Sequence, residues 1–152
     1  MRIDRLGDLG SAPRVLRAVA AAADRRGLPP PAALIGEWFG SGAVIAPSLT
    51  VSPVTSGDFG ALGTSEGGQA RRIHADGVVG GGWFGYLSYP DASSDGRPCR
   101  IPEAAGGWTD CVLRQDSDGS WLLDVEPSDE RITEMVDVYG GWLPGDAHLP
   151  DD

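Results

Sequence analysis

The 152-residue chain contains no lysine and no asparagine, and all 12 of its basic side chains are arginine. Both missing amino acids have AT-rich codons, so their absence reflects base composition and marks no function. The same bias raises glycine to 23 and proline to 12, which makes chance glycine motifs easy to find. Proline and glycine at that density argue against an all-helical bundle. Cysteine and histidine are scarce: Cys99, Cys111, His74 and His148. No C-x2-C pair is present, so a structural zinc site has no ligand spacing to build on. No apolar run approaches the ~20 residues that cross a bilayer. The start, Met1-Arg2-Ile3-Asp4-Arg5-Leu6-Gly7-Asp8, carries acids where a signal peptide needs an apolar stretch. These absences lead to the expectation of a reduced, cytoplasmic chain.

What is present suits one globular domain. Apolar residues make up 41% of the chain, too many for a disordered tail, and a domain of this length buries roughly 70% of its unfolded surface. The net charge of −10 is uneven. Residues 1–100 balance ten arginines against nine acids, whereas residues 101–152 set Arg114 and Arg131 against thirteen acids. An acidic chain repels phosphate, so nucleic acid and anionic membrane are not expected partners. The acidic end reads as a solvated tail.

Ser11, then an alternating apolar and arginine run over 12–26, then Gly27, predicts a capped helix ended by Pro29-Pro30-Pro31. Strand signals follow. Residues 33–39 and 43–46 are short, apolar and separated by Gly40-Ser41-Gly42, which suits a hairpin. Leu49, Val51 and Val54, broken by Pro47 and Pro53, suggest an edge strand. Residues 55–72 read as a loop. The aromatic stretch 78–89 reads as a strand whose glycines admit a close backbone or a bulky ring. Residues 90–107 again read as loop. Residues 108–114 and 121–125 flank Asp116-Ser117-Asp118-Gly119, a strong hairpin signal, with Cys111 as a small core residue. Residues 132–139 suggest a weak helix. The fold class expected is α+β: a β-rich antiparallel domain with one clear N-terminal helix.

Motifs that carry chemistry elsewhere lack their structural setting here. Gly63-Thr64-Ser65-Glu66-Gly67 fits a nucleophile elbow, but neither the preceding strand nor the following helix is predicted. Gly80, Gly82 and Gly85 fit the dinucleotide fingerprint, yet an aromatic strand follows where a helix must open. Asp116-x-Asp118-Gly119 starts like a calcium loop, but Pro127 stands at the twelfth position, where such a loop needs glutamate. Glu37 beside Trp38 is more suggestive, because a carboxylate next to a ring can hold a ligand's ammonium while the ring packs its body. The competing reading is a solvated edge glutamate with Trp38 in the core. No catalytic or metal-binding constellation emerges.

Two stretches resemble one family. The first runs from Pro31-Ala32-Ala33-Leu34-Ile35-Gly36-Glu37-Trp38-Phe39-Gly40 into Ala43-Val44-Ile45-Ala46-Pro47-Ser48. The second is Gly80-Gly81-Gly82-Trp83-Phe84-Gly85-Tyr86-Leu87-Ser88-Tyr89-Pro90, followed by the 108–125 hairpin. Together they look like the N-terminal domain of aminodeoxychorismate synthase component I, a relative of anthranilate synthase component I. The resemblance covers residues 1–125 and fades beyond, leaving 126–152 as an acidic, poorly ordered tail. The family's magnesium-dependent, chorismate-binding catalytic domain is absent from this sequence. No catalytic or metal residue therefore carries over, and no cofactor is expected in this chain.

In related anthranilate synthases a Leu-Leu-Glu-Ser segment of this domain helps to form a tryptophan pocket. Leu34-Ile35-Gly36-Glu37 matches it, with Gly36 and Glu37 replacing the family's Glu and Ser. Taken with Glu37 beside Trp38 and the aromatic strand, which a small-molecule binding module would use, the candidate ligand-binding residues are Gly36, Glu37, Trp38, Trp83 and Tyr86. The resemblance implies a truncated or split component of a chorismate-aminating enzyme on the route to p-aminobenzoate and folate, not catalytic by itself. Its implied partners are the chorismate-binding domain and a glutamine amidotransferase that supplies ammonia. Two alternatives stay open: a stand-alone module binding a small aromatic or amino-acid ligand, and an accessory subunit docking on a separate catalytic chain.

Overall fold

The computed structural model describes residues 2–54, 81–88 and 101–125. Within them one helix and eight strands form two antiparallel sheets, an α+β arrangement. Strand β1 spans Arg2–Gly7, helix α1 Ala12–Arg25, β2 Ala32–Trp38, β3 Ser41–Ala46 and β4 Ser52–Val54. Strand β5 spans Gly82–Leu87, β6 Ala104–Thr109, β7 Cys111–Gln115 and β8 Trp121–Val125. The large sheet has the order β1-β8-β7-β3-β2 and the small sheet β4-β6-β5.

Helix α1 forms where the apolar spacing predicts it, and Val15, Val19, Ala22 and Ala23 are its buried stripe. Ser11 stands at the N-cap with extended backbone, but its side chain makes no capping hydrogen bond, contrary to the sequence reading. The C-terminus closes as expected of glycine. Gly27 takes a φ of 65°, its N–H donates to the Asp24 carbonyl at 3.0 Å, and Leu28 N–H donates to Ala23 at 3.0 Å. This pair of bonds is a Schellman motif, which satisfies carbonyls the helix leaves open.

The helix packs on one face of the large sheet. Its Ala12, Val15 and Val19 meet Ala43 and Ile45 of β3, Cys111 and Leu113 of β7, and Trp121, Leu123 and Val125 of β8. Trp121 is fully buried and donates its Nε1–H to the Gly10 carbonyl at 2.9 Å. Residues of alternate parity, Val44, Val112, Arg114, Leu122 and Asp124, are buried on the opposite face. Burial on both faces explains why β3 and β8 read as near-continuous apolar runs rather than alternating ones.

Three features depart from the sequence reading. Strand β1, in a segment read only for the absence of a signal peptide, pairs with β8 from Arg2↔Val125 to Gly7↔Trp121. Residues 104–107, expected in a loop, begin β6, the central strand of the small sheet. The stretch 108–114, expected as one strand, is divided at Asp110: Trp108 and Thr109 end β6, and Cys111 starts β7 in the other sheet. Thr109 fastens this corner, its Oγ1 donating to the Cys111 carbonyl at 2.7 Å. The expected loop at 55–72, the helix at 132–139 and the tail at 126–152 lie outside the described residues.

The β7–β8 hairpin agrees with the Asp-Gly signal. Asp116 and Ser120 close it, and Gly119 adopts a φ of 83°. Asp118 accepts hydrogen bonds from the Ser120 hydroxyl and backbone N–H and an ion-pair contact from Arg5 of β1 at 3.1 Å. These donors, the Ser120 hydroxyl foremost, hold the Asp118 carboxyl below its ordinary range. The turn thereby ties down the edge strand β1.

Candidate functional site

The predicted residues fall into two groups on different sheets. Gly36, Glu37 and Trp38 end β2, the outer strand of the large sheet, whereas Trp83 and Tyr86 lie on β5 of the small one. No hydrogen bond or ion pair among the described residues joins the two groups. The residues that the sequence reading gathered into one ligand set thus belong to strands of two different sheets.

The first group is shaped by an irregular hairpin. Pairing of β2 with β3 runs in register to Ile35↔Ala43, then shifts before Trp38↔Ser41. Gly36 sits at the shift with a φ of 127°, a backbone state open to glycine and strained for other residues. Phe39 and Gly40 make the two-residue turn, with φ of 55° and 77°. Positive φ at both positions is the requirement of a type I′ turn, where Asn and Gly are usual. Phe39 holds that conformation while 64% exposed. The Trp38 indole leans over Gly36, its Nε1 lying 3.6 Å from where a Cβ would stand. Trp38 is 43% exposed, so it does not occupy the core. Glu37 is exposed beside it. This tip is an open apolar surface with a carboxylate at its margin.

The second group is built from glycine. Trp83 of β5 lies directly opposite Trp108 of β6, and Gly85 lies opposite Gly106. A Cβ built on Gly85 or on Gly106 would overlap the Trp83 ring, which therefore lies across both glycines. This is the close ring approach that the glycine spacing predicts. It also explains the low-propensity Ala-Ala-Gly-Gly start of β6. Side chains there would displace Trp83 at Gly106 and meet the Thr50 carbonyl at Gly107. Tyr86 donates its hydroxyl to the Pro102 carbonyl at 3.2 Å and is 41% exposed.

Sequence reasoning missed two further elements. Trp108, which the sequence pattern places in the 108–125 hairpin, instead lies on the small sheet opposite Trp83 and is 45% exposed. Arg114 donates from Nε to Asp124 Oδ2 at 2.7 Å, with both side chains buried on the large sheet. The signal for this pair was an Arg and an Asp inside two apolar strands joined by a short hairpin. Burying such a pair demands mutual hydrogen bonding, because an isolated charge there is strongly penalised.

The chemistry-bearing motifs take other roles. Gly82 and Gly85 lie in strand β5, so no helix N-terminus receives a pyrophosphate there. Asp116, Asp118 and Gly119 form the turn already described. Gly63-x-Ser65-x-Gly67, His74, His148 and Cys99 lie outside the described residues. Among the described residues no three of His, Cys, Asp and Glu gather into a metal-binding group. No helix there is long and apolar enough to cross a membrane.

No protein-family model matches the chain, and neither does any curated protein or solved structure.

Proposed function

We propose that this chain is an N-terminal, non-catalytic domain of the aminodeoxychorismate synthase component I type, acting with a chorismate-binding domain carried elsewhere. The observation behind the reading is the pair of sequence stretches that resemble that family. The reading is supported by the coarse architecture, an antiparallel α+β arrangement with a β2–β3 hairpin, a glycine-aromatic strand β5 and a β7–β8 hairpin. In this reading the magnesium and the chorismate chemistry belong to the other domain, and an amidotransferase supplies ammonia in the cytoplasm. Gly36, Glu37, Trp38, Trp83 and Tyr86 then serve contact with a ligand or with that domain.

The test is reconstitution. The chain is added to the catalytic part of an aminodeoxychorismate synthase component I lacking its own N-terminal domain, with chorismate, magnesium and an ammonium salt. Formation of 4-amino-4-deoxychorismate should rise saturably with added chain, and the two proteins should co-elute. Absence of both association and stimulation rejects the proposal.

A second reading, a stand-alone binding module for a small aromatic or amino-acid ligand, draws on the exposed Trp38 beside Glu37. It requires a saturable change in tryptophan fluorescence with tryptophan or chorismate alone, lost in Glu37→Ala. A flat titration removes it.

A further inference from the structure

The described sheets have four outer edges, and three of them carry a device that discourages further strand pairing. Strand β1 bears Asp4 and Arg5 and a register shift between Arg5 and Gly7. Strand β2 has its shift at Gly36-Glu37, and β4 is three residues long with Pro53 at its centre. Charges, irregularities, short length and proline are the recognised ways of blunting an edge. Strand β5, Gly82-Trp83-Phe84-Gly85-Tyr86-Leu87, has none of them. It pairs with β6 without a register shift over six residues, and its last three residues are exposed.

The direction of its free backbone groups follows from the ladder. Ser88 N–H donates to the Glu103 carbonyl at 2.7 Å, in line with Leu87↔Ala104. Hydrogen-bonded pairs alternate in an antiparallel ladder, so Gly82, Phe84 and Tyr86 face β6 as well. Trp83, Gly85 and Leu87 therefore direct N–H and C=O away from β6, towards the edge that no described strand occupies.

We propose that β5 pairs with β5 of a second copy of this chain, antiparallel about a two-fold axis at Phe84. In that register Trp83 stands opposite Gly85 of the other copy and Tyr86 opposite Gly82, so every large side chain but Phe84 meets a glycine. The outward groups of Trp83 and Gly85 form hydrogen-bonded pairs, and the two Phe84 rings meet across a non-hydrogen-bonded pair. Moving the axis to Gly85 would set Trp83 against Leu87 and lose this match of sizes. The closed, self-matching contact is the isologous form usual in dimers, and it joins the two small sheets into one. It needs no catalytic domain, so it stands or falls separately from the proposed function.

The experiment is sedimentation equilibrium on the full 152-residue chain up to about 100 µM, alongside Phe84→Lys and Phe84→Glu. The wild type should rise with concentration from 15.8 kDa to twice that mass. Each variant places like charges face to face and should weaken association about tenfold or more, whereas an equimolar mixture of the two should regain it. Near-UV circular dichroism reports whether the variants stay folded. If they do not, Phe84→Cys under mild oxidation should form an 84–84 disulfide identified by peptide mass. A monomeric wild type at every concentration overturns the proposal. So does a mixture of folded variants that associates no better than either alone, or cross-linking of Phe84→Cys only through Cys99 or Cys111.

Discussion

In the large sheet Trp121 is wholly enclosed, its indole N–H satisfied by the Gly10 carbonyl and its ring among helix and strand side chains. In the small sheet Trp108 leaves 45% of its surface exposed, and the Trp83 ring lies across two glycines. The same amino acid thus supports two kinds of packing. Where branched residues and a helix surround it, it fills a volume. Where glycines lie beneath it, the ring rests on the backbone of the sheet. The first arrangement gives stability, and the second leaves aromatic area exposed.

The sharpest way to break the comparison is to remove the enclosed ring. Trp121→Ala should destabilise the chain by about 3–5 kcal/mol, through lost burial and the cavity left behind. Urea denaturation measures this directly. Trp108→Ala should cost far less, because much of that ring is already in water; equal losses would show that the two sheets do not differ as described.

The buried ion pair gives an effect of similar size with a different signature. Arg114→Met or Asp124→Leu alone should cost about 3–5 kcal/mol by stranding a buried charge. The double variant should return close to wild-type stability, since a well-packed apolar pair replaces a desolvated ionic one. A double variant as unstable as the sum of the two would mean that the pair's geometry is itself required.

Glycine tests the small sheet. Gly106→Ala should cost about 1–3 kcal/mol by overpacking against Trp83. Combined with Trp83→Ala, most of that penalty should vanish, a coupling that a double-mutant cycle reads. Independent, additive losses would mean that the ring does not rest on the glycine.

The smallest effect concerns pH. The Asp118 carboxyl is held below its ordinary range by Ser120 and Arg5, so its contribution is complete above the unfolded carboxylate pKa, about 4. That contribution fades as pH falls through the lowered folded value. Wild type and Asp118→Asn should therefore differ slightly near neutrality and converge in acid, as followed by thermal melts at several pH values. A gap that widens in acid would contradict the assignment.

Local signals were enough for much of this. Helix α1 with its glycine stop, the β2–β3 hairpin, the proline-broken edge β4, the glycine-aromatic strand and the Asp-Gly hairpin all follow from residue periodicity and turn chemistry over a few neighbouring positions. The α+β class follows from them. Strand β1 was not legible, because its alternation of charge and apolar residues gains a strand's stability only when β8 supplies its partner. The start of β6 was hidden for the opposite reason. Ala104-Ala105-Gly106-Gly107 has little strand preference of its own and is held in place by neighbours on both sides.

The candidate residues divide in the same way. Their types, and the expectation that glycine spacing admits a ring, were in the sequence. Which of them share a surface was not, because side chains meet through sheet order and register, and both depend on contacts between strands far apart in the chain. The break at Asp110, which sends one continuous stretch into two sheets, is such a decision. It takes Trp108 out of the hairpin and sets it opposite Trp83, and no reading of residues 108–114 alone contains that pairing.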